Sequence, residues 1–142
     1  MRDLDKNIDK GISFPFRFGS SGGVVKSKLT HSDFSRIRES LHQIILTFVK
    51  ERRMRTEFGS TVNQYIFEIT GDETSMAMMS HEMKKAIDKH EPRVIVNSVK
   101  VTTLDEDEAL VQIELDIHII KFVKDVNMTL EVNLPAELIG GI

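Results

Sequence analysis

The most regular feature of the chain is a change of period at Pro92. Beyond it, apolar side chains recur at every second position. Residues 93–102 are rich in valine and isoleucine. Ala109, Val111, Ile113, Leu115, Ile117 and Ile119 fall on one face, and Gln112, Glu114, Asp116 and His118 on the other. Met128, Leu130, Val132 and Leu134 then alternate with Thr129, Glu131 and Asn133. One apolar face per strand predicts an antiparallel sheet covered on one side. Residues 103–108 and 124–127 suit the hairpin links.

Before Pro92 the period is helical. Phe34, Ile37, Leu41, Ile44, Ile45 and Phe48 share one face of a helix predicted over residues 31–50. Thr30 and Asp33 have capping-box spacing at its start. Ser60 is placed to cap a short helix carrying Val62, Tyr65, Ile66 and Ile69. A second long helix starts near Gly71-Asp72, with Met76, Met79, Met83 and Ile87 as its stripe and Ala86 beside it. Pro92 ends that helix, because the residue before a proline is driven from helical geometry. Helices first and strands afterwards give an α+β fold, the helices covering one face of an antiparallel sheet of three to four strands.

The first 29 residues lack either period. Four of the eight glycines lie here, and Phe14-Pro15-Phe16-Arg17-Phe18 runs into Gly19-Ser20-Ser21-Gly22-Gly23. We expect an extended arm with one short hairpin, its aromatic rings pinning it to the domain or to a neighbour. Residues 136–142, ending in Gly140-Gly141-Ile142, read as a mobile tail on what is otherwise one domain over residues 1–142.

Composition narrows the function classes. The 142 residues are 40% hydrophobic and 29% charged, as in globular proteins. The formal net charge of -3 argues against a dedicated nucleic-acid binder. Without cysteine there is neither a disulfide framework nor a thiolate metal site. The start, Met1-Arg2-Asp3-Leu4-Asp5-Lys6, lacks the apolar core of a secretory signal, and no apolar stretch is long enough for a bilayer. A soluble, cytoplasmic protein with no membrane partner is expected.

Candidate chemistry is sparse. His81-Glu82 begins like a zinc-protease helix, but Lys85 stands where the second histidine belongs, so no metal or other cofactor is expected. Glu51, Glu57, Glu68 and Glu91 are candidates for a muramidase-type carboxylate pair. No tryptophan and only one tyrosine, Tyr65, are present to line a sugar cleft. Residues 19–23 have the glycines of a phosphate loop without its Lys-Ser/Thr ending. Lys50, Arg52, Arg53 and Arg55 form the basic cluster, suited either to an acidic partner or to a helix end. Met76, Met79 and Met83 fit a buried face, and Met78 an exposed one. Glu91-Pro92-Arg93 is a rigid corner with two readings: a docking point with one acceptor and one planar donor fork, or a helix stop with a local ion pair.

Two of these segments carry a resemblance. Lys50-Glu51-Arg52-Arg53-Met54-Arg55-Thr56-Glu57-Phe58-Gly59 is similar to a Gly-Glu-Arg-x-Met-Arg-Pro-x-Phe-Gly pattern. It is followed by Ala86-Ile87, then Glu91-Pro92-Arg93-Val94, then three alternating strands. This order resembles the small baseplate-wedge family of contractile phage tails, with relatives in tail-like bacteriocins, extracellular injection particles and type VI secretion baseplates. The resemblance covers roughly residues 11–135. Lys50 stands in place of glycine and Thr56 in place of proline. The family was once labelled lysozyme-like, but the resemblance implies a structural subunit and no enzyme. It implies a place in a sixfold baseplate, among larger wedge proteins, the sheath protein and the tube or spike-hub proteins. Glu91, Pro92 and Arg93 would dock on the helical core bundle of the wedge. Glu51, Arg53 and Arg55 would brace the charged turn. The strand of Met128, Leu130 and Val132 would be the sheath-facing edge that starts the first sheath ring. An adaptor role in another assembly is the further alternative.

Overall fold

The alternation after Pro92 folds as three antiparallel strands. The computed structural model describes residues 9–30, 32–65, 73–105 and 110–133. Its elements are β1 (Asp9–Ile12), β2 (Lys26–Leu29), α1 (Ser35–Leu46), a 3-10 turn (Val62–Gln64), α2 (Glu73–His90), β3 (Val94–Asp105), β4 (Leu110–Ile119) and β5 (Lys124–Asn133). β1 pairs with β2, and a second sheet has the order β3-β4-β5. This is the expected α+β fold. Backbone contacts divide the chain into two compact units, residues 1–42 and 43–142, with the boundary inside α1.

The larger unit holds the three-stranded sheet. On β4, Val111, Ile113, Leu115, Ile117 and Ile119 are buried, while the intervening polar residues are half-exposed. On β3 the apolar parity changes midway, from Val94 and Val96 to Val99 and Val101. A register shift between Val96 and Ser98 absorbs the change, so Val96 faces Ile117 and Val99 faces Leu115. One inserted residue at Asn97 thus keeps both apolar pairs on the same face. α2 lies against β3 and buries Ser75, Met79, Met83, Ala86 and Ile87. Met83 and Ile87 are completely excluded from solvent, whereas Met78, next to buried Met79, is 51% exposed.

Several boundaries differ from those expected. The β4–β5 link is not at residues 124–127. Ile119 pairs with Lys124 and Ile117 with Val126, so the turn occupies residues 120–123. Asp125 and Asn127 are outward residues of the strand, and inward Val126 between them continues the sheet's alternation. β3 likewise runs to Asp105, into the span read as a link. The first helix is shorter than residues 31–50. Thr30 Oγ1 does accept the Asp33 N–H at 2.9 Å, but in a turn before the helix. The first helical bond runs from Arg38 N–H to the Phe34 carbonyl. Asp33 accepts the Ser35 N–H, and that bond holds its carboxyl below the usual carboxylate range. Ser60 caps nothing; its hydroxyl donates to the Ile45 carbonyl at 2.8 Å. Ile66, Ile69, Ala109, Leu134 and the expected tail, residues 136–142, lie outside the described residues.

The smaller unit contains the hairpin expected in the arm. Between β1 and β2, Ser13 N–H bonds the Val25 carbonyl and Val25 N–H the Arg17 carbonyl, each at 3.0 Å. The Ser35 hydroxyl reaches the Lys28 carbonyl, the Ser13 hydroxyl reaches Glu39, and the Arg36 guanidinium lies against Gly11. Phe14, Phe16 and Phe18 are exposed, and Phe16 meets Phe18 edge-on with ring centroids 5.1 Å apart.

Candidate functional site

The charged segment after α1 is a closed loop. Ser60 N–H bonds the Thr47 carbonyl at 2.8 Å, and Val49 N–H bonds the Ser60 carbonyl at 3.2 Å. Gly59 makes this closure possible. Its φ is +114°, and a β-carbon there would collide with the Thr47 carbonyl. Glu51 braces the entry, accepting the Phe48 N–H at 2.8 Å. Lys50 N–H bonds the Thr56 carbonyl at 2.7 Å, with Lys50 at φ +75°. Glycine would occupy that left-handed position without strain. Lys50→Gly is therefore expected to raise unfolding stability by about 1 kcal/mol, read as a higher denaturant midpoint at unchanged slope.

Buried Phe58 organises the cations. The Arg52 guanidinium carbon sits 4.3 Å, and that of Arg55 5.2 Å, from its ring centroid. Phe58 also packs against His90, with ring centroids 4.9 Å apart. His90 Nε2 also lies 3.1 Å from the Glu57 carbonyl oxygen. Burial, reinforced by Lys89, holds the His90 pKa below the usual histidine value. Arg53 is exposed, and Met54 at the loop tip is 96% exposed. Arg52, Arg55 and Phe58 stand three residues apart, and that spacing is the sequence signal for this cluster.

His90 is the last residue of α2, so the loop abuts the Glu91-Pro92-Arg93 corner. Glu91 is only 2% exposed. Its two carboxylate oxygens accept Arg93 Nε and Nη2, each at 2.6 Å. A parallel two-bond pairing of this kind fixes the guanidinium plane. Glu91 does not project outward; the local ion pair is present, Pro92 is exposed, and the Arg93 side chain keeps 32% exposure. The Arg93 carbonyl accepts Ile120 N–H at 3.1 Å, tying the corner to the β4–β5 turn.

β5 has β4 as its one strand partner among the described residues, so it is an edge of the sheet. Met128, Leu130 and Val132 are buried, at 4–5% exposure. Their side chains belong to the core, so another strand would meet the main chain of this edge and the outward Thr129 and Glu131.

The candidate carboxylates are dispersed in role. Glu51 holds the Phe48 amide, Glu91 is closed by Arg93, and Glu68 lies outside the described residues. Glu57 and Glu82 border a pocket of about 240 Å³ with Lys85, Lys89 and His90, and Glu82 accepts the Thr61 hydroxyl at 2.7 Å. Among the described residues, no three His, Asp or Glu side chains gather as a metal ion requires. None of the described helices is long and apolar enough to cross a membrane.

Known proteins supply the context. Three solved structures share the fold. A Geobacter sulfurreducens protein provisionally called a tail lysozyme has a TM-score of 0.64 at 24% identity, covering 75% of this chain and 95% of that one. A chain of the anti-feeding prophage baseplate, solved with six-fold symmetry, has a TM-score of 0.64 at 23% identity, covering 79% and 86%. A chain of the type VI secretion baseplate complex has a TM-score of 0.54 at 13% identity, covering 70% and 91%. No curated protein sequence matches the chain. The profile of the family described as baseplate wedge protein gp25 matches residues 31–121, which include the closed loop, all of α2 and the Glu91-Pro92-Arg93 corner. With more than half of its length matched, the chain belongs to this baseplate-wedge family of contractile injection systems.

Proposed function

We propose that the chain is a structural subunit that docks through Pro92 and Arg93 onto the helical core bundle of the larger wedge proteins. The observation that carries this reading is the construction of the corner. Glu91 is buried and spent on orienting Arg93, which leaves an exposed proline and a fixed guanidinium at a junction between α2 and β3. Such a rigid junction loses little freedom on binding. The edge of β5 then offers main-chain groups to a strand of the first sheath ring, while Met128, Leu130 and Val132 hold that edge from within. Assembly would be sixfold, begin in the cytoplasm and end in the baseplate of a tail or tail-like particle, near the tube or spike hub.

A muramidase reading has less support. Two of its four glutamates are committed to structural bonds, and the pocket near Glu57 is smaller than the roughly 300 Å³ at which ligand sites begin. Nothing specific favours an adaptor role outside a contractile particle.

The test is co-expression with the larger wedge proteins of the same particle. Glu91→Leu with Arg93→Met replaces the ion pair by apolar groups of similar volume, which preserves folding better than removing one charge. Loss of co-purification is expected, with the purified chain still folding cooperatively. Normal incorporation of this double variant into baseplates would sink the docking role.

A further inference from the structure

We propose that the face between the closed loop and α2 is a second docking site, which takes an acidic segment of a partner protein and seats one of its apolar side chains in the pocket there. The site uses none of Glu91, Pro92 and Arg93, so it stands or falls apart from the corner.

Geometry brings the cations of this face together. Arg52 and Arg55 stack on Phe58, and His90 packs on the same ring. His90 also lines the pocket of about 240 Å³, with Lys85 and Lys89 on its α2 side and Glu57 on its loop side. Burial is the largest cause of the lowered His90 pKa, and the charges of Lys89 and Arg55 add to it, so both cations lie near that ring. The loop that carries the arginines is held closed by the Ser60–Thr47 hydrogen bond.

Charge selects the partner. Arg52, Arg55, Lys85 and Lys89 are exposed. Among the described residues, none of the four has a carboxylate partner. Stacking on an aromatic ring orients a guanidinium without neutralising it. Two carboxylates border the pocket, Glu57 and Glu82, and Glu82 accepts the Thr61 hydroxyl. Asp88, on the same stretch of α2, does not line it. The face is left basic on a chain whose net charge is -3, which complements an acidic surface.

The pocket refines the occupant. It is small for a free ligand but has room for one side chain, and Val49 and Ala86 in its wall suit an apolar one. Nucleic acid fits less well. Phe58 is only 9% exposed, so it offers no ring to a base, and Glu57 and Glu82 would repel phosphates.

The experiment titrates the full purified chain with a short synthetic peptide, one leucine flanked by glutamates, and follows binding by calorimetry. Saturable binding is expected. Serine in place of the leucine should weaken it about tenfold, and so should Lys85→Gln/Lys89→Gln or Arg52→Gln/Arg55→Gln. The His90 ring resonances should move with the leucine peptide, because that ring borders both the pocket and Phe58. Glu91→Leu/Arg93→Met should bind the peptide like the parent, which separates this outcome from docking of the corner. Equal affinity for the leucine and serine peptides would overturn the inference, as would no binding, or binding unchanged in both glutamine variants. Tighter binding of a duplex DNA fragment would assign the face to nucleic acid, and self-association abolished by the same variants would assign it to a second copy of the chain. Should a glutamine variant fail to fold, the leucine–serine comparison on the parent chain still decides.

Discussion

Gly59→Ala is expected to destabilise the isolated chain by about 3 kcal/mol, the sum of a left-handed backbone penalty and a steric collision. The loop closes only because Gly59 can pass over the Thr47 carbonyl on its way to the Ser60–Thr47 hydrogen bond. An added β-carbon meets backbone there, which cannot swing aside as a long side chain can. Gly22 supplies the control. Its φ is +83°, yet nothing lies within 4 Å of an added β-carbon. Gly22→Ala should therefore cost only about 1 kcal/mol. Urea unfolding of both variants measures the difference directly. Equal losses would mean that the close approach to Thr47 does not hold the loop. A large loss at Gly59 should also disturb His90, since Phe58, the residue before the glycine, packs on it.

Arg93→Ala is expected to cost about 3 kcal/mol, because it takes the guanidinium from a carboxylate that is 3% exposed. Removing one partner of a buried pair is more harmful than removing both, since the remaining charge keeps its desolvation cost. The Glu91→Leu/Arg93→Met double variant should thus be more stable than Arg93→Ala alone. Denaturant midpoints for Glu91→Leu, Arg93→Met and the double variant complete a mutant cycle that isolates the pairwise contribution. The His118–Asp125 pair behaves differently. With Asp125 70% exposed, Asp125→Asn should change stability by less than about 1 kcal/mol. Should Arg93→Ala be as mild, Glu91 has other means of neutralisation.

The fold was legible where one face of an element meets the core. β4 alternates without interruption, and every inward position read from residues 111–119 is buried. The stripe of α2 was legible for the same reason at Met79, Met83 and Ile87, with Met78 exposed, whereas Met76 is only half-buried and Ser75 is buried beside it. Legibility failed where polar residues belong to strands. Asp125 and Asn127 carry the polarity of a turn, but on a half-exposed strand polar residues are simply the outer face. The turn itself, Ile120-Lys121-Phe122-Val123, contains no glycine, proline or asparagine to announce it. Asn97 hid its bulge inside a run of β-formers.

The candidate site was legible in position more than in geometry. Glu91-Pro92-Arg93 stood out because proline fixes a corner, and the corner is there. Periodicity around Pro92 could not reveal that Glu91 turns inward, because burial of a charge depends on the guanidinium supplied two residues later. Likewise, Lys50 and Val123 occupy left-handed positions that their side chains do not advertise. Gly59 was visible as a glycine, but its need for Thr47 is a tertiary contact across twelve residues of chain.

The distribution of methionine provides the chain with internal reporters. Met54 is 96% exposed at the loop tip and Met78 51% exposed on α2, while Met79 and Met83 are at 1% and 0%. Sulfoxide formation follows access to the thioether. Among the methionines of the described residues, brief peroxide treatment therefore marks Met54 first and Met78 next, leaving Met79 and Met83 intact until the chain unfolds. In an assembled particle, whichever outer sulfur escapes oxidation maps a covered surface, and the inner pair reports on folding in the same spectrum.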